Sequence, residues 1–213
     1  MSNPEIFKFF PEPIFKFKFE NFNKYNDELE SYIYKLQEDD KIGLIKSNKG
    51  GWHSSDFALR EVDSIQHKFA MEMQKYILKS FQNFGWKTEK QNIRIREMWA
   101  IINKKNDFNV VHTHPNSVLS AAYYVKAAKN CGRFQIENPN DAKRHLYPEV
   151  ANKNELNMVV GGIDVNEGDL IIFPGYLPHK VAKNESDTDR SVISFNVDIK
   201  QYKVFFKIQF FFF

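Results

Sequence analysis

The sequence predicts a mainly β fold of the jelly-roll type, preceded by helices, and three observations carry that prediction. From about Asn92 onward, short apolar or alternating runs recur between clusters of Gly, Pro, Asn and Asp, the pattern of many short strands that close into a sandwich or barrel. Ahead of them, apolar residues fall at helical spacing in two segments. Finally, two of the six histidines stand one residue apart just before an apolar run, and a third closes a similar run after proline.

In chain order, "FKFKFE" alternates Phe15, Phe17 and Phe19 with charged residues, as a half-buried strand does. "KYNDELESYIYKLQEDD" sets Leu29, Ile33 and Leu36 on one helical face. "SSDFALREVDSIQHKFAMEMQKYILKSF" predicts a second, longer helix capped by Ser55 or Asp56. "NIRIREMWAII", "SVLSAAYYVKA", "CGRFQIE", "LNMVVGGIDV", "GDLIIFPG" and "RSVISFNVDI" then read as strands. The organisation is one domain over 1–213: a strand and helical elaboration (1–90), a β core (91–200) and a Phe-rich tail (201–213). The tail's four terminal phenylalanines need covering by other parts of the chain.

Composition excludes several classes. A net charge of +3 from scattered lysines is no nucleic-acid signature, and no apolar run is long enough to span a membrane. The N-terminus lacks signal-peptide order, and the lone Cys131 allows neither an internal disulfide nor a cysteine metal cluster. A soluble, cytoplasmic protein is expected, and oligomeric state is left open, a homodimer included.

The chemistry sits in "HTHPNSVLSAAYYV" and "GDLIIFPGYLPHKV". Alternate strand residues share a face, so a strand through His112 and His114 presents two imidazoles together, and two unpaired buried imidazoles are costly. His179, after a tight "FPGYLP" turn, comes back to the same rim. Three imidazoles on neighbouring strands can occupy one face of an octahedral iron and leave the opposite positions open. His53, His67 and His145 lack such company: His67 falls on the second helix and His145 in a loop. Arg190 lies eleven residues past His179, across a polar turn, where a hairpin returns a guanidinium beside the metal face. Such a group clamps a dicarboxylate through two parallel hydrogen bonds.

With these residues in place, "HTHPNSVLSAAYYV", "FPGYLPHKV" and "RSVISFN" together resemble the Fe(II)- and 2-oxoglutarate-dependent oxygenases, in particular a small branch with phage and marine bacterial members. The resemblance runs from about Asn92 to Val197. It implies a cupin-like double-stranded β-helix, Fe(II) held by His112, His114 and His179, and 2-oxoglutarate as cosubstrate with its distal carboxylate on Arg190. In the related prolyl hydroxylases the second tyrosine of a "YY" pair also meets that carboxylate, a role that maps onto Tyr124. Hydroxylation of an unidentified small molecule or protein side chain, with O2, is the implied reaction. Two positions depart from the pattern. His114 stands where the family usually has Asp or Glu, and Val192 where a serine often follows the arginine. Ser194, on the same strand face, is the remaining candidate for that contact.

Two other readings stay open on the sequence. The segment "GDLIIFPGYLPHKVAKN" also approximates a cupin motif, so a three-histidine dioxygenase without 2-oxoglutarate fits, as does a barrel that binds without turnover. Arg190 with Tyr124 separates the first reading from the cupin dioxygenase, and an open coordination position separates an enzyme from a binding module. Asn103 is a candidate for the pocket lining, Trp99 for packing, and "GGWHSSDF" for a lid or substrate loop.

Overall fold

In a computed structural model, residues 3–57, 61–89, 91–145 and 148–200 are described; the Phe-rich tail lies outside them. The elements run β1 (Phe15–Lys18), α1 (Phe22–Asp39), β2 (Asn48–Lys49), β3 (Trp52–His53), α2 (Ile65–Asn83), β4 (Asn92–Asn103), β5 (Phe108–His112), β6 (Leu119–Lys126), β7 (Phe134–Glu137), α3 (Asp141–His145), β8 (Val160–Ile163), β9 (Asp169–Pro174), β10 (His179–Val181) and β11 (Arg190–Lys200). The strands form a six-stranded sheet ordered β1-β9-β6-β11-β4-β3 and a five-stranded sheet ordered β2-β5-β10-β7-β8, and every paired strand is antiparallel. Chain neighbours β9 and β10 lie in different sheets, as do β10 and β11. This alternation between two facing sheets is the double-stranded β-helix that the sequence predicts.

The large sheet is buried on both sides, which is why its central strands read as unbroken apolar runs. On β9, Leu170 and Ile172 join the core beneath the helices, whereas Ile171 and Phe173 face the second sheet. On β11, Ile193 and Phe195 point to the helices and Val192 to the other side. The helices meet this surface with stripes four residues apart: Tyr25, Leu29 and Ile33 on α1, and Phe69, Met73, Ile77 and Phe81 on α2. Burying each such side chain contributes about 1.5–3 kcal/mol. Together they hold one face of the sheet rigid beneath the cavity on its other face.

The second helix starts later than its sequence suggests. Its N-cap is Ser64, whose hydroxyl accepts the His67 N–H at 3.3 Å. Ser54, Asp56 and Phe57 instead run along β4: Ser54 N–H donates to Ala100 O and Phe57 N–H to Met98 O. Ser54 Oγ and Asp56 Oδ1 in turn accept the N–H groups of Ala100 and Met98, at 2.9 and 2.8 Å. Side chains with capping chemistry thus serve as an improvised sheet edge, because free β4 donors lie within reach. His145 closes the short helix α3 instead of lying in a loop, though it remains exposed. Among the described residues, no helix is long and apolar enough to cross a membrane.

Candidate active site

Between the sheets lies a cavity of about 740 Å³. Alternate residues of two adjacent strands line it: Glu97, Trp99, Ile101 and Asn103 from β4, and Arg190, Val192, Ser194 and Asn196 from β11. The opposite wall carries the histidines. His179 opens β10 and pairs in register with His112, the last residue of β5. His114 lies beyond the end of β5 instead of on the strand; its N–H donates to Gly175 O at 2.8 Å, in the turn that precedes His179. The expected convergence survives because this turn, and not strand alternation, returns His114 to the cluster.

The three rings stand with centroids 5.1 Å (His112 to His114), 4.2 Å (His112 to His179) and 5.0 Å (His114 to His179) apart. One nitrogen from each falls within 4.8 Å of the others, a set that can hold a metal ion. The second nitrogens explain the orientation. Nδ1–H of His112 donates to Val110 O at 2.8 Å and Nδ1–H of His179 to Leu177 O at 2.9 Å, which fixes both tautomers and turns each Nε2 lone pair inward. Nε2 of His114 and Nε2 of His179 then face each other at 3.2 Å. The His179 Nε2 lone pair accepts the Nε2–H of His114, and a bound cation would take the place of that proton. Burial keeps all three imidazoles neutral, with His114 lowered to about 4, so the donor set is uncharged near neutral pH.

Arg190, the first residue of β11, is completely buried. Nη1–H donates to Cys131 O and to Ala182 O (3.0 Å), and Nη2–H to Asn103 Oδ1 at 2.9 Å. No carboxylate pairs with it among the described residues. Its Nε has no partner, nor have Asn103 Nδ2 and Tyr124 Oη, although all three atoms are buried. Three orphaned donors at one end of a cavity are expensive unless an acceptor joins them. Burial pushes the Tyr124 phenol upward, so it stays protonated and able to donate. Two glycines make this packing feasible. A Cβ on Gly132, at φ +93°, would lie 2.6 Å from Arg190 Nη1, and one on Gly51, at φ +58°, would lie 2.6 Å from Asn103 Nδ2.

Three residues stand differently from their expectation. Trp99 lines the cavity, its ring 5.6 Å from that of His114. "GGWHSSDF", expected as a lid or substrate loop, packs along β4: Gly50 and Gly51 carry the chain from the small sheet to the large one, Trp52, His53 and Ser54 are buried, and His53, Ser54 and Asp56 line the cavity. His53, without company in the sequence, lies parallel to Trp99 on the cavity wall, with centroids 5.8 Å apart. Tyr124, Asn103 and Ser194 line the cavity.

An uncharged three-imidazole cluster inside a double-stranded β-helix, across the cavity from a buried guanidinium with no carboxylate partner among the described residues, is the donor set of a mononuclear metal site. Residues 97–196 match the profile of a family described as "Putative 2OG-Fe(II) oxygenase". The β core of this chain belongs to the Fe(II)- and 2-oxoglutarate-dependent oxygenases; the protein is an enzyme, with Fe(II) as cofactor and 2-oxoglutarate as cosubstrate. The fold is similar to that of a Pseudomonas putida prolyl-4-hydroxylase (TM-score 0.60, 12% identity, covering 87% of this chain and 92% of that one). It is also similar to HygX from Streptomyces hygroscopicus, solved with nickel and 2-oxoglutarate (TM-score 0.60, 11% identity, 87% and 82%). A third similar structure is a viral collagen prolyl hydroxylase from Paramecium Bursaria Chlorella virus-1 (TM-score 0.55, 12% identity, 86% and 94%). Comparison with curated proteins finds no match.

Proposed function

We propose that this enzyme hydroxylates its substrate, with His112, His114 and His179 holding Fe(II), and Arg190, Tyr124 and Asn103 holding the C5 carboxylate of 2-oxoglutarate. The observation that carries the reading is Arg190: a fully buried guanidinium without a carboxylate partner among the described residues, its Nε orphaned, as are Tyr124 Oη and Asn103 Nδ2. A bound carboxylate supplies the missing charge and acceptor oxygens in one group. Asn103 Oδ1 is already committed to Arg190, which leaves its Nδ2 as the donor available to the ligand.

The imidazoles fit the metal by the same logic, since the tautomers of His112 and His179 are set by main-chain carbonyls. Iron with 2-oxoglutarate and O2 supplies oxidative decarboxylation to succinate and CO2, coupled to insertion of one oxygen atom into a substrate C–H bond. The chain's own residues bind, orient and exclude water. Phe134 and Phe173 pack against His179, with ring centroids at 5.5 and 4.5 Å, and keep the cluster dry on that side. Ser194 stands roughly 13 Å along the strand from Arg190, at about 3.3 Å per residue; its place beside Trp99, its register partner on β4, favours a role in lining the cavity over contact with the C5 carboxylate.

Anaerobic titration with Fe(II), with and without 2-oxoglutarate, tests this reading. A visible charge-transfer band is expected only when both are present, and its absence with saturating components refutes the site. The cluster makes a second prediction. His114→Asp produces the commoner two-imidazole, one-carboxylate set and is expected to retain iron, whereas His114→Ala is expected to weaken iron binding severely. Metal content after desalting reads both; unchanged affinity in His114→Ala removes this residue from the ligand set.

A further inference from the structure

The cavity continues past the cluster, away from Arg190, to an end lined by His53, Asp56 and Glu97 together with Arg96 and Lys46. His53 is more than nine-tenths buried on the wall. Its Nδ1–H donates to Ser54 O at 2.7 Å, so the neutral ring leaves Nε2 as a lone pair, and among the described residues that atom has no partner. Glu97 accepts from Asn196 Nδ2 (3.0 Å) and Arg96 Nη2 (3.3 Å) through Oε2, which leaves Oε1 without a bond. Asp56 spends Oδ1 on Met98 N–H and keeps Oδ2. The terminal nitrogens of Arg96 are committed to Asn116 O, Ser117 Oγ and Glu97, while its Nε is buried without a partner, so Lys46 and Arg96 are the cationic side chains at this end. Between these acceptors and the cluster stands the Trp99 ring, parallel to His53. The surface is therefore an apolar plate edged by lone pairs.

Resting on the oxygenase reading, we infer that His53 is a specificity-determining residue: its Nε2 accepts a hydrogen bond from the main substrate, which packs an apolar face on Trp99 and presents donors, a hydroxyl pair or an amine, toward His53, Asp56 and Glu97. A substrate that presents a carboxylate or phosphate here would set anionic oxygens against the His53 lone pair and the carboxylates of Asp56 and Glu97, with Lys46 and Arg96 as the opposing cations. His53 carries the discrimination, since it is the buried member of the three and a buried polar group left without its partner bears its desolvation cost, whereas Asp56 is exposed and Glu97 about half exposed.

The test uses three probes of one shape, cyclohexylamine, trans-1,2-cyclohexanediol and cyclohexanecarboxylate, titrated into the full chain loaded with Ni(II) and 2-oxoglutarate and followed by ligand-observed NMR. The amine and the diol are expected to bind at millimolar concentration and the carboxylate not to. H53F keeps a ring beside Trp99 but removes Nε2, and is expected to weaken both about tenfold, the worth of one hydrogen bond. H53Q restores an acceptor oxygen and is expected to recover part of the loss. Ni(II) and 2-oxoglutarate affinities, measured on the same preparations, are expected to stay at the wild-type level in both variants. Carboxylate binding as tight as the amine's, no binding of amine or diol to wild type, or wild-type binding by H53F overturns the inference. Should H53F fail to fold, the amine-to-carboxylate contrast in wild type and the H53Q titration decide. Wild type that loads neither Ni(II) nor 2-oxoglutarate overturns the oxygenase site itself, an outcome distinct from these.

Discussion

Replacing Arg190 with alanine is expected to weaken 2-oxoglutarate binding on the order of a hundredfold to a thousandfold. Removing one partner of a buried, hydrogen-bonded charge pair typically costs about 3–5 kcal/mol, and each 1.4 kcal/mol or so is tenfold in affinity. The guanidinium here is completely buried and has no protein carboxylate among the described residues; the cosubstrate would be its counter-ion. Arg190→Lys is expected to recover only part of the loss, because an ammonium keeps the charge but cannot make two parallel bonds or reach Asn103, Cys131 and Ala182 together. Iron affinity without cosubstrate is expected to hold, since no Arg190 nitrogen belongs to the imidazole set. Anaerobic calorimetry of both ligands on matched preparations checks all three statements. Normal 2-oxoglutarate binding by Arg190→Ala would leave the orphaned donors without a purpose and remove the main support for the proposed site.

Loss of either strand-borne imidazole is expected to abolish stoichiometric iron binding. His112 and His179 pair across β5 and β10, and each ring is held by a backbone carbonyl on its Nδ1. His112→Ala or His179→Ala therefore removes a pre-oriented donor for which the neighbouring valine, leucine or phenylalanine residues offer no substitute. His145→Ala serves as the control. His145 is exposed at the end of α3, bonds to Asp141 O through Nδ1, and does not belong to the cluster. Iron content after anaerobic reconstitution and desalting reads the result; a wild-type ratio in either cluster variant would overturn the ligand assignment.

Much of this site is legible in one dimension because its parts lie at the ends of strands with strong patterns. The runs through β6, β9 and β11 are apolar on both faces, and such runs bounded by Gly, Pro and Asp have few other ways to be buried. Histidines placed at the edges of those runs must meet at a rim once the strands pair. The same holds for Arg190, which begins β11 directly opposite Asn103.

The residues around His53 are not legible in this way, for a reason that can be named. Ser54, Ser55 and Asp56 have the local chemistry of a helix cap, and a single chain offers no hint that donors on β4, more than forty residues on, will compete for them. Two-residue strands such as β2 and β3 carry no period to detect. The placing of His114 is a further case: alternation along a strand predicts the right neighbour for the wrong reason, since the Gly175 turn does the work. By itself, then, the sequence determined the β-helix, the three imidazoles and the arginine, because each follows from short-range pattern and from the cost of burying polar groups unpaired. The tertiary structure alone decided which nitrogen of each histidine faces inward, that Arg190 has no counter-ion among the described residues, and that His53 joins Trp99 on the cavity wall, because these depend on hydrogen bonds and packing between residues far apart in the chain.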